Sequence, residues 1–149
     1  MQSNSILAFR IPLVQYAILI VLAHTMISGL HSIAHREIGI GISDVQSTYV
    51  FSVTLVMPIA AAIMLFLNNS KIQRAGAWLL FVSMLGSLIF GLAYHAVLPG
   101  SDNIGKVVHG PSFDNTALFA STTIILLIIE VIGSWVGAIA ICRLAKLAY

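Results

Sequence analysis

Apolar residues gather in four runs along this chain, and each run is long enough to cross a bilayer as a helix. A hydrocarbon core of about 30 Å needs roughly 20 helical residues. The runs cover about residues 11–33, 45–67, 75–98 and 115–142. Their punctuation is helical too. Pro12 suits a first turn, where its missing N–H costs nothing. Ser43 or Asp44 can cap the second run, Pro58 should kink it, and Asn68-Asn69-Ser70 ends it. Pro99-Gly100 stops the third run, and Asp114 or Asn115 is the expected cap of the fourth. The connections are short, so neighbouring helices should be antiparallel. The expected fold is an all-α integral membrane protein. Its four transmembrane helices form an up-down bundle, one domain over residues 1–149.

Composition agrees. The chain is 59% hydrophobic and 8% charged, with a mean hydropathy of +1.02. Soluble domains carry about 25% charged residues, and so small a domain could not hide this much apolar surface from water. The first run is too long for a cleaved signal core and reads as a retained span. The lone Cys142 can make no internal disulfide and belongs to no cysteine metal motif.

Basic residues set the expected orientation. Arg10, Lys71, Arg74, Arg143 and Lys146 fall on one side with no acid among them. Arg36 and Lys106 fall on the other, beside Glu37, Asp44, Asp102 and Asp114. The positive-inside rule then puts both termini in the cytoplasm, and we expect a multi-pass protein of a prokaryotic cell membrane. No basic run or face suggests nucleic acid. The expected partners are the lipid bilayer and other membrane subunits or further copies of the chain. Gly133 and Gly137 form a GxxxG step that suits close helix contact, inside the bundle or between subunits. Trp78, Trp135, Tyr16, Tyr49 and Tyr94 read as interfacial anchors.

Histidine supplies the candidate chemistry. In this topology His31, His35, His95 and His109 lie at or beyond span ends on the outer face. His31 and His95 match in depth at 1.5 Å per residue. His24, Ser28, His31 and His35 share one side of the first helix. Two chemistries fit. Haem b could be held by His31 and His95 from two helices, with His24 deeper, and Gly29, Gly91 and Ala93 leaving room for the macrocycle. Alternatively, copper or zinc could bind His31 and His35 as an i, i+4 pair, completed by His95, His109 or Asp114. The bland alternative is a set of interfacial imidazoles with their polar tips at the headgroups.

A second polar layer lies deeper. Glu130 and His24 sit roughly 18–20 Å from the cytoplasmic side, with Thr54 and Ser87 near that level. A charge at mid-bilayer costs about 2.5–3.5 kcal/mol or more. Glu130 should therefore face inward, protonated or paired with His24. It would act either as a proton relay or as a buried pair that fixes packing.

The chain has no nucleotide-binding loop, no nucleophile elbow, no HExxH and no intramembrane lysine. The functional expectation is a small membrane redox protein using haem b or copper for electron transfer or small-substrate oxidation. Two alternatives stand beside it. One is a non-catalytic subunit of a larger membrane complex, and the other is a proton or ion transporter component built on Glu130 and His24.

Overall fold

A computed structural model describes residues 3–109 and 113–146, with side chains from 12 to 109 and from 116 to 146. Helix α1 spans Ser3–Glu37, α2 spans Asp44–Phe66 and α3 spans Ser70–Val97. A single-turn helix α4, Ile104–Val107, precedes the long α5, Phe113–Lys146. Four of these helices are long and apolar enough to cross a membrane.

The helices pack as an up-down bundle. α5 lies against both α1 and α3, and α3 also packs on α2. One end gathers the C-terminal parts of α1 and α3 with the N-terminal parts of α2 and α5. The opposite half holds the main apolar core, built from Ala17, Val21, Leu65, Ala77, Leu80, Met84, Ala140 and Leu144.

Small residues set the helix spacing. A Cβ added at Gly137 would stand 2.8 Å from the Phe81 backbone, and one at Gly133 would stand 2.9 Å from Met84 Cγ. The GxxxG step is therefore used inside the bundle, where α5 crosses α3. Gly76 plays the same part between α3 and α2, with Met64 Cβ 2.8 Å from the added atom.

Several boundaries differ from the sequence reading. α1 already begins at Ser3, so Pro12 is interior to it. Proline removes a single ladder bond, and membrane helices tolerate that. α3 starts at Ser70 because the Asn69 side chain accepts from Lys71 N and Ile72 N, at 3.0 and 3.2 Å. Asn69 thus caps the third span rather than merely ending the second. α5 begins at Phe113, ahead of Asp114 and Asn115, so neither is its cap. Ser43 does cap α2. Its hydroxyl accepts from Gln46 N, while Gln46 Oε1 accepts from Ser43 N at 2.8 Å.

Two wide turns were not expected. Residues Val50–Val56 of α2 and Ala93–Val97 of α3 form π-helical turns with i→i−5 bonds. The first precedes Pro58, which lacks the N–H that an α register would direct at Thr54. Where a simple kink was expected, the chain widens its turn. The second ends at Leu98, whose extended ψ of 138° suits a residue before proline. Such turns recur at functional sites, and here both flank the same cavity. Tyr49 and Tyr94 are half-buried and both pack on Phe90. Tyr49 stacks on Phe90 at 4.7 Å, and Phe90 meets Tyr94 at 4.5 Å. Trp78, Trp135 and Tyr16 are exposed on the apolar exterior.

Candidate metal centre

α1 carries His31 and His35 one turn apart, so their rings emerge on one face. The helix stops just beyond them. Ile40 N donates to His35 O across Gly39, whose φ of +70° is the left-handed conformation of a helix-ending glycine. The wide turn of α3 brings His95 in from across the bundle. His31 and His95 are buried and His35 is half-buried. One ligand nitrogen from each residue lies within 4.8 Å of the others.

The contacts are close. His31 Nε2 stands 3.3 Å from His95 Nε2 and 3.2 Å from His35 Nε2. Phe119 of α5 packs against all three rings, with centroid separations of 5.0 Å to His31 and His35 and 5.4 Å to His95.

The outer nitrogens fix the tautomers. His95 Nδ1 lies 3.0 Å from the Asp102 carbonyl oxygen. A carbonyl can only accept, so Nδ1 carries the proton. The Asp102 carboxylate stands beside the same nitrogen at 4.0 Å. His31 Nδ1 lies 3.0 Å from Thr122 Oγ1. That hydroxyl spends its own proton on Leu118 O at 2.7 Å, so it accepts from His31 Nδ1. In the neutral rings both Nε2 atoms are therefore bare. Two lone pairs then face each other at 3.3 Å. His35 can place one Nε2 proton on His31, which leaves His95 Nε2 without a donor. A cation at the centre satisfies all three nitrogens at once. For metal–nitrogen bonds of 2.0–2.1 Å, tetrahedral geometry puts ligand nitrogens about 3.3–3.4 Å apart. The two edges at His31, 3.2 and 3.3 Å, match that spacing, and the third pair, His35 and His95, lies within 4.8 Å.

Beside the three rings opens a cavity of about 410 Å³. Its walls include Ile40, Ile42, Val50, Phe51, Leu55 and Phe90, and Arg36, Gln46 and Asp102 add polar groups. The protein is thus a four-helix membrane candidate with a three-histidine cluster able to hold a metal ion, next to a space that admits a small molecule.

The other candidate residues lie elsewhere. His109 is exposed in the loop after α4 and outside the three-histidine group. The Asp114 side chain and the Gly110-Pro111 step lie outside the described residues. Gly29 is exposed, with nothing within 4 Å of an added Cβ, so it opens no room for a macrocycle in the interior. His24 sits deeper than the cluster, fully buried, with Nε2 3.3 Å from Glu130 Oε1. At that level Ser87 Oγ donates to Thr54 Oγ1 at 3.1 Å.

Sequence reasoning missed Thr122, Phe119 and Asp102 as supports of the cluster. A signal existed for the first. Thr116, Thr123, Glu130 and Gly137 recur every seven residues within an apolar run, and Thr122 adjoins this inward stripe. No family model matches the sequence, and no curated protein or solved structure is significantly similar to it.

Proposed function

We propose that this chain is a small membrane redox protein in which His31, His35 and His95 hold a copper ion at the extracytoplasmic end of the bundle. The observation that carries this is the pair of bare Nε2 atoms of His31 and His95, 3.3 Å apart with both Nδ1 protons engaged outward. Hydrogen bonds from the outward Nδ1–H groups orient metal-bound imidazoles and raise their basicity. Imidazole ligands suit copper and zinc alike; copper is proposed because a redox role needs an ion that changes oxidation state, which Zn²⁺ does not. A small ion is favoured over haem. A macrocycle would have to pass between nitrogens already 3.3 Å apart, with the His35 ring against the gap.

Three protein ligands leave a coordination position for substrate. The cavity of about 410 Å³ supplies the space, and its apolar walls suit a small, weakly polar molecule. Electrons would pass between the ion and another membrane subunit. The distribution of Arg10, Lys71, Arg74, Arg143 and Lys146 supports cytoplasmic termini and an outward-facing centre.

The test is metal analysis of detergent-purified protein after copper loading and removal of excess ion, with electron paramagnetic resonance of the Cu²⁺ form. One copper per chain with nitrogen hyperfine structure is expected, and it should vanish in His31→Ala. Failure to retain any transition metal would overturn the metal centre. Retention of zinc with rejection of copper would overturn the redox assignment alone.

A further inference from the structure

Midway along the bundle, a second and smaller cavity of about 70 Å³ is lined by His31 and His95 of the cluster and by Glu130. That is large enough to hold water. Hydroxyls line it: Ser28 from α1, Thr54 from α2, Ser87 from α3 and Thr123 from α5. His31 and His95 form part of one wall, and Glu130 lies on the same cavity.

Glu130 is 4% exposed, and its Oε2 is buried without a hydrogen-bond partner. Ser28 Oγ is in the same state. Buried polar atoms nearly always find a partner, protein or water, so these two atoms call for water in the chamber. The other carboxylate oxygen meets His24 Nε2. The titratable side chains around Glu130 are His24 and His31 from α1, Tyr49 from α2 and His95 from α3. No lysine or arginine is among them. The His24–Glu130 pair is net neutral when it holds one proton, whichever partner carries it.

We propose that the His24–Glu130 pair is the proton store of the three-histidine centre. It releases one proton when a divalent ion binds there and takes it back when the ion leaves. The physical ground is charge balance. Three neutral imidazoles add no negative charge against an ion of charge +2, and the low dielectric makes that field strong at a carboxylate across a small cavity. The bond to hydrogen in the pair breaks, and the proton passes to chamber water. It leaves toward the larger cavity, with which the chamber shares His31, Ser32, Val50, Phe90 and His95 as a common wall. Glu130 is left as a carboxylate beside neutral His24, and no electron moves. Coupling of this kind is reciprocal, so ion binding tightens with rising pH by the same linkage.

The proposal rests on the metal-site reading, and the test separates the two. Zn²⁺, a redox-inactive probe, is titrated into detergent-purified protein by calorimetry in two buffers of different protonation enthalpy, which counts protons released per ion. Wild type should release one proton more than Glu130→Gln, and both should bind one Zn²⁺. Should Glu130→Gln fail to assemble, the double variant His24→Phe/Glu130→Met removes the pair as a whole. Apolar replacement of a buried pair is often tolerated, and the same deficit of one proton is expected. Equal proton release in wild type and variant would overturn the proton store while leaving the metal site standing. Absence of Zn²⁺ binding in wild type would overturn the metal site itself.

Discussion

Replacing Thr122 with valine tests the tautomer assignment on which the metal centre depends. Valine keeps the shape and removes only the hydroxyl that accepts from His31 Nδ1 at 3.0 Å. The bond from Thr122 Oγ1 to Leu118 O is lost as well, but that carbonyl belongs to the helix ladder. In the metal-free protein His31 escapes the loss by moving its proton to Nε2, where it donates to His95. An ion at the centre forbids that move, because it needs Nε2 bare. The unsatisfied Nδ1–H therefore appears only in the loaded state, in a ring that is 8% exposed. A buried donor without a partner costs about 1–3 kcal/mol. At 1.4 kcal/mol per tenfold change, that is roughly a 5- to 150-fold loss of affinity. The assay is competition for Zn²⁺ against a chromophoric chelator, with Ser121→Ala as control. Ser121 is exposed and bonds only Leu118 O, so its affinity should not change. If Thr122→Val folds normally and binds Zn²⁺ as tightly as wild type, the assignment of His31 is wrong and the facing lone pairs disappear with it.

Further outcomes follow from the same geometry. Alanine at His35 or His95 should remove stoichiometric metal as alanine at His31 does, while His109→Ala should keep it, as read by elemental analysis of the purified variants. Gly137→Val places a side chain against the Phe81 backbone, 2.8 Å from the added Cβ. Thermal unfolding in detergent should show it destabilised by at least about 1–3 kcal/mol, the usual cost of overpacking, whereas Gly29→Ala should be neutral. Zn²⁺ affinity should fall on acidification, because protons compete for the ligand nitrogens and are also taken up by the His24–Glu130 pair; a pH profile in the chelator assay as steep in Glu130→Gln as in wild type would contradict the second contribution. In a Cys142→Ala background, single cysteines at Ser3 and Ser101 should react with an impermeant thiol reagent from opposite sides of the membrane, Ser101 from outside. Labelling of both from one side would refute the four-span topology.

Periodicity and composition determined the class of this protein. Four apolar runs of spanning length leave a 149-residue chain few arrangements other than a bundle in lipid, and short links make neighbours antiparallel. Because rise per residue is fixed, depth was legible as well. Equal counts along the helices set His31 level with His95 and His24 level with Glu130. Azimuth was not. Which way a side chain points around its helix depends on how the helices pack, and three local events decided that here. The π-helical turn at Ala93–Val97 carries His95 into the interior, and the close crossing at Gly133 and Gly137 fixes α5 against α3. The glycine-terminated end of α1 stops the chain just past His35. His109 carries the same side chain but lies exposed in the loop after α4, outside the three-histidine group. Sequence spacing places residues along an axis, whereas the convergence of three nitrogens, and of Thr122 and Asp102 behind them, exists only once separate helices have docked.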